Sequence, residues 1–211
     1  MKRWFHLLTL VFTLSVVQAF GQKQIFIAPN MKAALEKQKV VAILPLTVTI
    51  SYKRMPKNYD AGGNEAQEKE EGLNMQQGMF TYLLRKASDY TVSFQDVDRT
   101  NILLKQAGVY DKLDLITADS LCKILKVDGL IKAGYAYEKT GSEAGAIVMT
   151  LAFGYGGSVA SGALTMQIYD GSDGSLLYRF YKEMNEGAFS SANAMMERMM
   201  RKISRNFPYE R

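Results

Sequence analysis

The chain is poor in the side chains that many enzymes depend on. Its 211 residues hold one histidine, His6, one tryptophan, Trp4, and one cysteine, Cys122. His6 and Trp4 both fall within residues 1–21, which read as a signal peptide. Lys2 and Arg3 form its positive start, and residues 7–17 are an apolar run too short to span a bilayer comfortably. Ala19-Phe20-Gly21 places small residues at the −3 and −1 positions of a cleavage site, so the mature chain is expected to begin at Gln22, with a cut after Ala19 as the runner-up. No cysteine lies near the cut, so no lipid anchor is expected there. Cleavage would leave no histidine, which excludes Ser-His-Asp and Cys-His catalysis, His-ligated zinc and His general bases. Loss of Lys2 and Arg3 would lower the formal charge from +5 to +3, too mild a surplus to argue for nucleic acid. One cysteine in an exported chain forms no internal disulfide. Cys122 sits between Leu121 and Ile124-Leu125 in a helical run and reads as a small buried hydrophobe. The alternative, a reactive thiol, has only Lys123 at hand to lower its pKa.

What the chain does hold is alternation. In residues 163–170, Leu164, Met166 and Ile168 alternate with Thr165, Gln167 and Tyr169; in 175–184, Leu176, Tyr178 and Phe180 do the same. Asp170-Gly171-Ser172-Asp173-Gly174 between them supplies two glycines for positive φ and carboxylates that cap turns, so the pair predicts a hairpin. Leu177 and Tyr181 add apolar weight to the second strand's other face, so both of its faces are expected to be covered, at least in part. Upstream, residues 22–38 read as an extended start followed by a short helix. Every even position of 40–52 is apolar, from Val40 through Leu44 to Tyr52, and Val41 and Ile43 make the first half an interior strand. Pro45 requires a bulge or a strand end. Residues 53–71 read as a polar loop. From about Ala66 a helical course follows, with Leu73, Gln76, Phe80, Leu83, Leu84 and Ala87 inward.

Residues 90–95 predict a short edge strand with Gln95 on its polar face. Asp98 is expected to cap a helix stopped by Gly108, and Thr117 to cap another that Gly129 ends. A strand over 130–138 follows. The closing helix begins near Ser191, with Met195, Met196, Met199, Met200 and Ile203 inward. Pro208 stops it, and Phe207 and Tyr209 dock back. Strands joined by helices should be parallel, and the hairpin adds an antiparallel step. The expected fold is α/β: a mixed five-stranded sheet with helices on both faces, ending in a β-hairpin and a helix. The domain plan is a signal peptide at 1–21, an extension at 22–38 and one α/β domain at 39–211 with an apolar insert at 141–162.

The strand Val40-Val41-Ala42-Ile43-Leu44-Pro45-Leu46 resembles the opening strand of the curli-export lipoprotein CsgG, of the TolB amino-terminal domain and of the lipoprotein activators of penicillin-binding proteins. Asp98-Arg99-Thr100-Asn101-Ile102-Leu103-Leu104 is similar to their short helix after the second strand. Leu125-Lys126-Val127-Asp128-Gly129-Leu130-Ile131 is similar to their turn into the third strand, and Ile168-Tyr169-Asp170 with Gly174-Ser175-Leu176-Leu177-Tyr178 to their hairpin. Tyr178 stands where that hairpin usually has tryptophan. The chain as a whole also resembles exported proteins of Bacteroidetes. The resemblance implies the fold, a location in the periplasm or at the outer membrane, and action by binding. It implies no catalytic residue.

Four stretches suggest chemistry, and each has a plainer reading. Gly154-Tyr155-Gly156-Gly157 lacks the glycine a dinucleotide loop would need at Val159, and no Walker lysine follows. Residues 170–174 are far shorter than an EF-hand and lack its closing glutamate. Met195, Met196, Met199 and Met200 could hold Cu(I), but a methionine stripe at helical spacing also fills a core. Asp128 and Glu138 could serve as a glycosidase pair if they lay close together. No cofactor, metal or catalytic residue is therefore assigned.

The insert asks for a reason, because two neighbouring strands need only a few residues between them. Residues 144–157 carry no charge. They read either as a small-residue helix packed on the sheet or as a contact surface formed by Ile147, Met149, Leu151, Phe153 and Tyr155. The leading expectation is a non-enzymatic module that binds an envelope protein. The second is a CsgG-like outer-membrane oligomer or secretion-channel component, through self-association and peripheral membrane contact. The third is a carboxylate-based hydrolase.

Overall fold

The computed structural model describes residues 23–139, 159–184, 192–204 and 207–211. Residues 1–22 and most of the stretch 141–162 lie outside them. Seven described strands form one mixed sheet: β1 (Lys23–Ile27), β2 (Val40–Ile43), β3 (Thr47–Tyr52), β4 (Ser93–Phe94), β5 (Gly129–Lys139), β6 (Val159–Asp170) and β7 (Leu176–Met184). The described helices are α1 (Met31–Leu35), α2 (Ala61–Arg85), α3 (Val97–Gln106), α4 (Ala118–Leu125) and α5 (Ala192–Ser204), with short 3-10 turns before β4 and before α4.

The sheet is ordered β1-β7-β6-β5-β2-β4, with β3 also on β5. Strand β5 is the spine. It pairs antiparallel with β6 along its whole length. On its other side its first residues, Gly129–Ile131, run parallel to β2, and Gly134–Lys139 run parallel to β3. The even-numbered apolar run is thus two strands, broken where Pro45 has no N–H to give. Leu44 N still donates to Ile131 O at 3.0 Å, so the ladder holds up to the proline. That break and the pairing of the extension as β1 on β7 raise the strand count from the expected five to seven.

Period-2 burial splits the core into two layers. Val41, Ile43, Ile131, Tyr135, Leu164, Met166, Ile168, Tyr178 and Phe180 face α2 and α5. Ala42, Leu44 and Leu130 face α3 and α4, where Leu104, Leu121, Cys122 and Leu125 close over them. The chain's end docks as expected: Phe207 and Tyr209 are buried, Tyr209 O accepts from Thr91 N at 2.9 Å, and Tyr209 Oη donates to Gln38 Oε1 at 2.6 Å.

Helix α2 differs most from expectation. It begins at Ala61, with the Asp60 carboxylate accepting from Gly62 N and Gly63 N, so half of the supposed polar loop is helix. Its inward stripe is Gly72, Met75, Gln76, Met79, Phe80 and Leu83; Leu73 and Leu84 are 38% and 51% exposed. The stripe is placed by contact with the edge of the sheet. Leu46 N donates to Gly72 O at 3.4 Å, and a Cβ on Gly72 would collide with the Leu46 carbonyl oxygen. Leucine at 73 cannot sit on that line.

Local signals hold in kind and shift in position. The cap of α3 is Asp96, accepting from Arg99 N at 3.0 Å, because the helix starts at Val97 and its third amide is the orphan donor. The end of α4 is Lys126 in the left-handed region (φ 57°), leaving Gly129 to open β5. In the hairpin turn only Gly174 has positive φ (75°). Gly171 is small for another reason: a Cβ there would lie 2.6 Å from Asp128 O and 2.9 Å from Cys122 Sγ.

Gln95 is a correction of sense. It is buried, donates from Nε2 to Leu125 O at 2.9 Å and accepts at Oε1 from Thr100 Oγ1 at 2.9 Å. It ties β4, α3 and α4 together, where an exposed edge residue was expected. Gln95→Lys should therefore cost about 3 kcal/mol, comparable to Leu44→Asp, since each leaves a charge in a sealed interior. Thermal or urea unfolding checks this; a loss within about 0.5 kcal/mol for Gln95→Lys would contradict the burial.

Candidate functional site

The carboxylates come first, because a hydrolase would need them. Asp128 ends the α4–β5 turn, and its Oδ2 accepts from Lys39 N (2.8 Å) and Val40 N (2.9 Å), fastening the start of β2. Glu138 lies near the opposite end of β5. Ten residues of strand separate the two by about 33 Å, far beyond the reach of a glycosidase pair. The hydrolase built on Asp128 and Glu138 is thus ruled out by geometry.

Polar residues do gather where the first half of α2 lies along β3 and the end of β5. Glu68 Oε1 accepts from Ile50 N at 2.7 Å, covering an edge amide of β3, and from Asn64 Nδ2 at 3.0 Å. Asn64 Oδ1 accepts from Tyr52 Oη at 2.9 Å. Tyr137 Oη donates to both Glu71 oxygens at 3.0–3.1 Å, and Gln67 Nε2 donates to Glu71 Oε1 at 2.8 Å. Lys139 Nζ reaches Gln67 Oε1 and lies 5.4 Å over the Tyr52 ring. Burial, then the charge of Glu71, pushes the Tyr137 phenol upward, and burial lowers the Lys139 ammonium. Each donor is matched to an acceptor within the cluster. It acts as a clasp between helix and sheet.

The remaining motifs fall into place as structure. Cys122 is buried, and burial, with Asp170, Asp119 and Asp128 nearby, pushes its thiol up to about 12. It therefore stays protonated and unreactive. Met196, Met199 and Met200 are fully buried beside Met75 and Met79, as core filling requires; the Met195 side chain is not among those described. The carboxylates of Asp170 and Asp173 accept from Ser172 N and Ser175 N, within the turn itself. Among the described residues no group of three or more His, Cys, Asp or Glu could hold a metal ion, and no helix is long and apolar enough to cross a membrane. Ile147, Met149, Leu151, Phe153 and Tyr155, with the glycine-rich stretch 154–157, lie outside the described residues. Their roots are described: Lys139 pairs with Val159, so the insert hangs from the end of an antiparallel pair.

What sequence reading missed is a bare face. Helices α3 and α4 cover β2 and the start of β5, and the apolar cluster beneath them reaches no further along β5 than Leu130. Beyond it, Gly134, Ala136 and Glu138 of β5 share this face with Thr165 and Gln167 of β6, Arg179, Tyr181 and Glu183 of β7, and Gln24 and Phe26 of β1, while Lys132 at its border pairs with Asp114 of the 3-10 turn before α4. Two shallow hollows of ≈ 480 Å³ lie on it and share Tyr181 and Glu183; one adds Phe26 and Arg179, the other Ser51 and Ala136. Tyr181 Oη donates to Glu183 Oε1 at 3.1 Å. This corrects the expectation that Tyr181 marks a covered face: Tyr181 is half-buried between exposed Arg179 and exposed Glu183.

No family model and no curated relative matches the sequence. Solved structures are similar in chain course. Lipoprotein GNA1162 from Neisseria meningitidis matches at 11% identity and TM-score 0.46, over 79% of this chain and 96% of that one. The PelC dodecamer from Paraburkholderia phytofirmans matches at 13% and 0.40, over 91% and 99%. The LpoB C-terminal domain from Escherichia coli matches at 10% and 0.34, over 74% and 99%. Likeness at this level carries no residue role from one chain to another.

Buried phenols make the stability of the domain sensitive to alkali. Burial pushes Tyr90 and Tyr178 from 10.0 up to about 12, and Tyr137 and Tyr209 are also raised. Each group holds its proton more tightly folded than unfolded. Its contribution is complete below the unfolded pKa and is lost as pH rises through the folded one. The urea midpoint should fall as pH rises from 10 toward 12 at constant m; a flat midpoint would contradict the burial of these hydroxyls.

Proposed function

We propose that this chain is a non-enzymatic module of the bacterial envelope that binds another protein through the bare half of its sheet, with the insert residues Ile147, Met149, Leu151, Phe153 and Tyr155 as a second contact. The observation that carries the reading is the uncovered face itself. A sheet whose other face is packed under α2 and α5 from β2 to β7 here presents Phe26, Tyr181, Arg179 and Glu183 on a broad, shallow surface. Aromatic and arginine side chains flanked by polar ones are the usual composition of a protein contact. Shallow hollows suit a partner's surface better than a small substrate, which deep pockets enclose. The envelope address rests on the reading of residues 1–21 as a signal peptide, and the absence of histidine from residues 22–211 removes His-dependent catalysis.

A second reading, a CsgG-like oligomer that places the insert in the outer membrane, is favoured by one feature. The insert joins two antiparallel strands, Lys139 opposite Val159, as an extended hairpin would. Photocrosslinking in cells separates the two. With a benzoyl-phenylalanine at Tyr181, and another at Phe153, the module predicts one dominant foreign adduct. The same probe at Leu84, which is 51% exposed on α2 on the opposite side of the sheet, should give none. Self-adducts alone from Phe153 would favour the oligomer, and equal adducts from Leu84 would remove the sheet face from consideration.

A further inference from the structure

The sheet ends in β1, and no described residue pairs with its outer edge. All five residues of the strand are exposed, including Ile25 (37%), Phe26 (48%) and Ile27 (57%). Monomeric proteins guard such edges with lysines, prolines or bulges. Here the register on β7 runs without a bulge, and the strand's one charge, Lys23, turns back to lie 6.0 Å over the Phe180 ring of its own sheet.

The direction of the free backbone groups follows from the ladder. Ala28 N donates to Leu177 O at 2.9 Å, so Ala28 points toward β7. Alternation turns Phe26 and Gln24 the same way and leaves the N–H and C=O of Lys23, Ile25 and Ile27 facing outward.

We propose that β1 is a dimerisation edge, pairing antiparallel with β1 of a second copy of this chain about a two-fold axis at Ile25. In that register Ile25 faces Ile25, and each Lys23 faces the partner's Ile27, so every outward N–H and C=O of both strands is used. A parallel in-register pair would set lysine against lysine, as would an antiparallel pair centred on Lys23. An isologous contact requires a patch complementary to itself, and the sequence Lys23-Gln24-Ile25-Phe26-Ile27 is one when read against its own reverse. The two sheets then run on as one, and the bare faces of the copies become continuous. This goes beyond the protein-binding reading and stands without it.

Light scattering of the purified chain across a dilution series tests the pairing, with two variants. Ile25→Pro removes an N–H that only the second copy would use, and proline is tolerated on an edge whose N–H faces solvent. It should remain folded by circular dichroism and be monomeric at every concentration. Ile25→Cys sets two thiols opposite each other at the spacing of a hydrogen-bonded pair, about 5.5 Å between Cα atoms, which suits a disulfide. It should give a covalent dimer under mild oxidation, and buried Cys122 leaves the wild-type background silent. A wild-type chain that is monomeric undiluted would overturn the proposal. So would a dimer that Ile25→Cys fails to lock, or an edge that captures only a foreign strand. If Ile25→Pro unfolds, Ile25→Cys decides alone. A crosslinked foreign partner at Tyr181 in cells answers the separate question of the module.

Discussion

The crossing of α2 over the sheet edge at Gly72 is the contact on which the rest depends. The apolar run of residues 40–52 is interrupted at Pro45, so β2 and β3 meet β5 as two separate pieces. The gap is closed by a helix backbone, with Leu46 N bonded to Gly72 O and no room for a side chain between them. From that point the helix runs in both directions with different chemistry. Toward its C-terminus Met75, Met79, Phe80 and Leu83 seal the core. Toward its N-terminus Glu68 and Glu71 bind an amide of β3 and the hydroxyl of Tyr137. Gln76, one turn on, donates to Ile43 O and Asn101 and so joins this layer to α3.

That arrangement also explains the bare face. With α2 and α5 on one side, α3 and α4 are the described α-helices that cover the second side, and Asp128 and Gln95 hold those two at the β2 end. Past Leu130 of β5 and Tyr169 of β6, the longer antiparallel half, β5–β6–β7–β1, has no described α-helix above it on this side. Antiparallel sheets with one solvated face are common. This one differs in carrying Phe26 and Tyr181 in place of a uniformly polar surface.

Much of the fold was legible because its signals are local. The alternation of Leu164, Met166 and Ile168, the Asp170–Gly174 turn, the Met196–Ile203 stripe and the docking of Phe207 and Tyr209 depend on neighbours within a few residues. The parallel placement of β2 and β5 followed from the helices between them. The local errors are of helix ends, as where Asp60 caps α2 within the supposed loop; the others are long-range. Leu73 looks as inward as Gly72 until the Leu46 carbonyl is placed against the helix. Gln95 reads as an edge residue until Leu125 O and Thr100 supply its partners. The extension becomes a strand only because β7 offers an edge, and Asp128 and Glu138 look like a pair until the length of β5 lies between them. The candidate site was less legible still, since a bare face is defined by which helices do not reach it.

Gly72→Ala measures the central contact directly, because two effects predict opposite signs. Helix propensity alone predicts a gain of about 1 kcal/mol from removing a glycine inside α2. The close crossing predicts a loss of about 3 kcal/mol, because the new methyl group must push the helix off the Leu46 carbonyl. Urea unfolding reads the sign. A clear loss of stability at unchanged m supports the crossing as the keystone of the sheet; a gain, or no change, would contradict it.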